Sequence, residues 1–207
     1  MRLSKPGSTT VRIRLLLTFA VSLAPTAFAT DPPQPPRTEI KLFTPFGVKG
    51  PADGLQISEK VSGKCFAASA ASPSRPDAWR CSAGNAILDP CYQQIMGDEK
   101  QLACPIEGPW SLKIVLLTFT EASLNEPRKE MPRESVLPWA IELDNGKHCS
   151  LFTGATAPIA GMRINYGCPG GFQVVGDIDH SAPVWRVFFQ AENASSLEQV
   201  DVIVAWY

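Results

Sequence analysis

The chain has 207 residues, 19 basic and 20 acidic, for a formal net charge of −1. Four of the basic residues (Arg2, Lys5, Arg12 and Arg14) and none of the acidic ones fall within residues 1–29. The remainder therefore carries fifteen positive against twenty negative charges, or −5. A mildly acidic remainder without a basic run argues against a nucleic-acid partner.

Residues 1–29 have the layout of a signal peptide. A positive leader precedes an apolar core at 15–23, and Ala27-Phe28-Ala29 supplies the small–x–small cleavage pattern, which makes Thr30 the expected mature start. The apolar core is short for a membrane span, and Pro25 interrupts its end. No cysteine precedes Cys65, which argues against a lipid anchor. No second run of spanning length follows, so no transmembrane segment is expected after signal cleavage. The expected address is outside the cytoplasm, periplasmic or secreted.

Residues 30–38, with Pro32, Pro33, Pro35 and Pro36, favour an extended spacer. Residues 39–207 suit one domain with a core of its own. Ile40, Leu42 and Phe43 suggest a short strand, residues 45–54 a loop, and residues 55–59 another short strand. In the cysteine-dense region from Cys65 to Cys104, Ser74-Arg75-Pro76-Asp77 resembles a capping box and Gly84 a helix stop. A helix of about two turns carrying Trp79 and Cys81 is expected between them. Asp89-Pro90-Cys91 reads as a turn. Residues 111–120 are apolar on both faces, which predicts a covered, central strand. Residues 121–134, with mixed charges, Pro127 and Pro132, predict an exposed loop.

In residues 137–143, Leu137, Trp139, Ile141 and Leu143 alternate with wetter positions, as in a half-buried strand. The turn that follows allows two registers. A two-residue Asn145-Gly146 turn sets Ile141 opposite Ser150 and Leu143 opposite His148. A three-residue loop, Asp144-Asn145-Gly146, sets Ile141 opposite Cys149 and Trp139 opposite Leu151, with Gly146 left-handed. A one-residue slip exchanges the two faces of a strand, so the apolar match selects the three-residue loop. Met162, Ile164, Tyr166 and Cys168 alternate in the same way, so Cys168 points with the apolar set, as Cys149 does. Residues 176–183 are expected as a loop, and residues 184–190 and 199–207 as strands. Val200, Val202, Val204 and Trp206 share one face of the last, which is expected to be tied into the sheet.

Six cysteines, Cys65, Cys81, Cys91, Cys104, Cys149 and Cys168, allow three bridges. Cys149 pairs with Cys168 on the strand pattern, and the pairing among the other four stays open. A zinc site is the rival, but no C-x-x-C is present and the chain carries an export signal. Asp177, Asp179 and His180 form the best candidate chemical cluster: in a strand the two carboxylates share a face, and in a loop they are ordinary turn formers. No nucleophile-elbow pattern surrounds Ser150 or any other serine. Trp139, Trp185 and Trp206 fit core packing, whereas Trp79 and Trp110 are less constrained. Asn193-Ala194-Ser195 matches a glycosylation acceptor, relevant only in a eukaryotic source.

The stretches Asp77-Ala78-Trp79-Arg80-Cys81, Gly84-Asn85 and Asp89-Pro90-Cys91 are followed by Pro138-Trp139-Ala140 and Gly161-Met162-Arg163-Ile164-Asn165-Tyr166-Gly167-Cys168. Together they resemble a set of uncharacterised bacterial exported, cysteine-containing proteins. The resemblance implies a bacterial source and an envelope or extracellular address, and it carries no activity, ligand or catalytic residue.

The expectation is a mainly β, antiparallel, sandwich-like, disulfide-stabilised single domain with a short helix in the cysteine-dense region. Its expected role is non-enzymatic binding of an envelope or extracellular partner, with no catalytic, cofactor-binding or metal-ligating residue assigned. The alternatives are a secreted hydrolase using Asp177, Asp179 or His180, and a secreted enzyme inhibitor.

Overall fold

The computed structural model describes residues 36–120 and 131–207. The expected signal peptide, most of the expected spacer and residues 121–130 of the expected loop lie outside the described residues. The strands β1 (Glu39–Lys41), β2 (Phe46–Gly47) and β3 (Gly50–Pro51) lead into β4 (Gln56–Ala68), β5 (Ala78–Ala83), β6 (Ala86–Gln93), β7 (Gln101–Pro105) and β8 (Lys113–Phe119). A 3-10 turn at Arg133–Ser135 precedes β9 (Ala140–Leu143), β10 (His148–Leu151), β11 (Pro158–Ile159), β12 (Met162–Cys168), β13 (Phe172–Asp179), β14 (Trp185–Gln190) and β15 (Glu198–Trp206). The structure is mainly β with antiparallel pairing, as expected, and its layers take the form of two closed rings.

In the first ring, β4 to β8 pair antiparallel in chain order, and β8 returns beside β4 in parallel to close a barrel. Ile114, Val115, Leu116 and Leu117 are all buried, which fits a strand paired on both edges and covered on both faces. The long β4 serves two neighbours: residues 56–63 pair with β8 and residues 64–68 with β5. Gly63 stands at that handover. A Cβ there would lie 2.3 Å from the Ser82 carbonyl oxygen of β5, so only glycine permits so close an approach.

The second ring follows from the alternation read in residues 137–175. Strands β9, β10, β12, β13, β14 and β15 pair antiparallel in turn, and β15 also pairs with β9, which closes six strands. Ile141 faces Cys149, His148 faces Glu142, and Leu151 N donates to Trp139 O at 2.9 Å. Gly146 has φ +76°, so the turn is the three-residue loop chosen on the apolar match. Strand β1 lies outside the ring, parallel to β15. Thr38, at the end of the expected spacer, is buried: its hydroxyl donates to Val202 O at 2.6 Å and accepts from Trp185 N at 2.8 Å.

Three disulfides bridge neighbouring strands: Cys65–Cys81 between β4 and β5, Cys91–Cys104 between β6 and β7, and Cys149–Cys168 between β10 and β12. The first two lie in the core of the first ring with Trp79, Leu102 and Leu117, and the third lies in the core of the second with Ile141, Tyr166 and Val174. Phe43, Ala78, Tyr92, Ala103, Ile114, Trp139 and Ala140 form a further apolar cluster that draws on both rings. Within it, Phe43, Tyr92 and Trp139 contact one another with centroids 5.5 to 6.2 Å apart.

Three local expectations are corrected. The helix expected before Gly84 is strand β5, because Cys81 must lie opposite Cys65 and the ladders to β4 and β6 override the capping pattern. The capping residues form turns instead, with Arg75 N bonded to Ser72 O, and Gly84-Asn85 becomes a two-residue hairpin loop. Asp89-Pro90-Cys91 lies within β6, with a cis Asp89–Pro90 peptide, and is not a turn. Finally, residues 176–179 continue β13 instead of opening a loop, since Ile178 is buried in the second core.

Candidate functional site

The β7–β8 connection belongs to the first ring, and it carries Trp110 to the surface of the second. The Trp110 ring stacks on His148 of β10, with centroids 4.7 Å apart and planes 28° from parallel. Gly108 permits this placement, because a Cβ there would lie 2.3 Å from Trp110 Cζ2. His148 is fixed from its other neighbour as well: Nε2 lies 3.6 Å from Glu142 Oε2, while Glu142 Oε1 accepts from Trp206 Nε1 at 2.8 Å. Period-2 alternation places Ser150 on the same face of β10 as His148.

Between the β7–β8 connection and strands β10 and β12 runs a groove of about 440 Å³, walled by Ile106, Trp110, His148, Leu151, Phe152 and Pro169. Phe152 is held at its rim from two sides. Its carbonyl accepts from Arg163 Nη2 at 2.7 Å, and a Cβ on Gly167 would lie 2.3 Å from its Cζ. Arg163 is itself bound to the buried Asn165, whose Nδ2 donates to Gly176 O at 2.7 Å.

Ile106, Ser150 and Leu151 also border a smaller chamber of about 100 Å³, bounded further by Ala71, Asp89, Pro90 and Trp139. Trp139 is 4% exposed and its indole N–H has no hydrogen-bond partner. Buried donors in folded proteins almost always have partners, so this shielded N–H is an exception. The Asp89 side chain is well supplied. It accepts from Ser69 Oγ at 2.5 Å and from the backbone N–H groups of Ala70 and Ala71, and it lies 3.7 Å from Arg80. Burial nevertheless raises its pKa above the ordinary aspartate value, outweighing these contacts. The Tyr92 and Ser72 hydroxyls are likewise buried without a hydrogen-bond partner, and burial pushes the Tyr92 phenol up.

The cluster singled out in the sequence is divided by the structure. Asp177 and Asp179 share one face of β13, with Ile178 buried between them. Asp179 accepts from Ser181 N at 2.9 Å and lies 3.9 Å from Arg186, and the Ser181 hydrogen bonds hold its pKa below the usual carboxylate value. His180 turns elsewhere, edge-on to Trp185 at 4.2 Å, in a cavity of about 220 Å³ with Ile40, Arg133, Glu134 and Tyr207. Among the described residues, no group of three or more His, Cys, Asp and Glu side chains is placed to hold a metal ion.

All six cysteines are taken up in bridges. Among the described residues no helix is long and apolar enough to cross a membrane. Searches against protein-family models, curated proteins and solved structures returned no match.

Proposed function

We propose that this chain is an exported, non-enzymatic binding protein whose partner sits in the groove between the two rings; the resemblance implies only its bacterial source and its envelope or extracellular address. The observation that supports this reading is the groove itself. Two rings contribute its walls, and an aromatic residue of one is stacked on a residue of the other. Three disulfides are consistent with an oxidising compartment.

The test is capture from an envelope or extracellular fraction by the oxidised protein and by its Phe152→Ala variant. A partner retained by the first and lost by the second is expected. Turnover of a glycan, peptide or ester that one polar substitution abolishes would reject the reading. The hydrolase alternative draws on His180, which borders a cavity with Arg133 and Glu134. It requires His180→Ala to abolish turnover.

A further inference from the structure

We infer that the cavity beside His180 binds a small zwitterion with an apolar body, of the class of an aromatic α-amino acid. This cavity shares no lining residue with the groove between the rings, so it is a second site.

The apolar part of the cavity comes from three elements. Tyr207, the most deeply buried of its lining residues, forms the floor. Two backbone bonds tie Tyr207 to the β1 segment: its O accepts from Phe43 N at 3.1 Å, and its N–H donates to Lys41 O at 2.9 Å. The exposed Ile40 of β1 and the half-buried Trp185 of β14 border the same space. The His180 ring packs edge-on against Trp185, with centroids 4.2 Å apart. An apolar cavity of about 150 Å³ already admits benzene, so about 220 Å³ gives room for a six-membered ring.

The charged part comes from the 3-10 turn at Arg133–Ser135. Ser135 Oγ and N both donate to Pro132 O, at 2.7 and 2.9 Å, which fixes the turn that carries Arg133 and Glu134 to the cavity. The Arg133 guanidinium lies over the Tyr207 ring, 5.8 Å from its centroid. The Glu134 carboxylate lies 3.9 Å from that guanidinium, and the two side chains are 44% and 79% exposed, Arg133 the less. An ion pair so long and so open to water is worth little, so both charges remain available to a ligand. A lone anion is attracted by Arg133 and repelled by Glu134, and a lone cation meets the reverse. A molecule whose carboxylate and ammonium flank one carbon is attracted by both. An α-amino acid carries its charges in that way, and an aromatic side chain gives it a body to lay against Ile40, Trp185 and Tyr207.

Three probes that share a phenyl ring separate the zwitterion from its single charges: L-phenylalanine, phenylpropionate and phenethylamine. Each is titrated at low ionic strength into the oxidised, isotope-labelled protein. The indole N–H resonance of Trp185, assigned by its absence from Trp185→Phe, reports the site by NMR. Phenylalanine is expected to move that resonance and to bind about tenfold more tightly than either analogue, the difference that one charge-assisted hydrogen bond supplies. Arg133→Gln should weaken phenylalanine and phenylpropionate about tenfold and leave phenethylamine no weaker. Glu134→Gln should weaken phenylalanine and phenethylamine but tighten phenylpropionate. Both side chains are exposed on a turn with no buried residue, so neither substitution threatens the fold. An analogue that binds as tightly as phenylalanine, a Trp185 resonance that does not move, or an unchanged phenylalanine affinity in either variant would overturn the inference. Binding of none of the three probes would overturn it as well.

Discussion

Gly63→Ala tests how tightly the first ring is closed. The added methyl would lie 2.3 Å from the Ser82 carbonyl oxygen and 2.9 Å from Leu117 Cδ1. Leu117 is fully buried and has little room to turn. Ser82 belongs to β5, which is paired with β4 at Lys64 and bridged to it through Cys65–Cys81, so its backbone resists withdrawal. Gly63 does not have a left-handed backbone, so the cost is steric overlap and not dihedral strain. Overpacking of a closed core costs about 1–3 kcal/mol, and contact with backbone on one side and a buried leucine on the other places this case near about 3 kcal/mol. For a chain of this size each kcal/mol moves the melting temperature by roughly 2–4 °C, so a fall of about 6–12 °C is expected. Circular dichroism melting of the oxidised protein measures it, and Gly84→Ala, where a Cβ meets nothing within 4 Å but φ is +55°, serves as the comparison for backbone strain without a clash. A Gly63→Ala midpoint within about 2 °C of wild type would refute the close β4–β5 approach.

Two further perturbations address the other parts of the fold. Removing Cys149–Cys168, whose residues are 19 apart in sequence, by double substitution with alanine should cost about 3 kcal/mol on loop entropy, read from urea unfolding, and an unchanged midpoint would contradict that contribution. Asp89 predicts a pH dependence: its folded pKa is raised, so the folded state binds the proton first and Asp89's contribution to stability grows as pH falls through the folded value towards 3.8. The melting temperature of wild type minus that of Asp89→Asn should therefore be larger at pH 4 than at pH 7, and a difference that shrinks on acidification would show that the hydrogen bonds outweigh burial.

The second ring was legible because its information is local. Alternation on either side of Asp144–Gly146 fixes the β9–β10 register, and the same alternation carries Cys149 and Cys168 to one face. The first ring depends on contacts that no short window contains. The direction of β5 is set by β4, and β4 is set in turn by β8, more than fifty residues away, so a capping pattern at Ser74–Asp77 read as a helix. Asp89-Pro90 has turn composition, yet it is held in β6 by the residues around Ser69. The groove was half visible. Trp110 stood out as a tryptophan without a strand pattern, whereas Trp139 read as core, which it is. That its N–H lacks a partner depends on the packing of both rings and leaves no trace in residue spacing.

The placement of β1 has a kinetic consequence. The six strands β9, β10, β12, β13, β14 and β15 close their ring without it, and β1 lies along β15 beyond the stretch paired with β14. Its neighbour Thr38 bonds to Val202, 164 positions away in sequence. Joining segments so distant carries a large loop entropy when the intervening chain is loose and a small one when it is already folded. Assembly order follows: each ring forms from its own strands, and residues 38–41 settle last as a clasp drawn over finished work. Such a clasp can open and reseat while both rings and all three bridges stay intact.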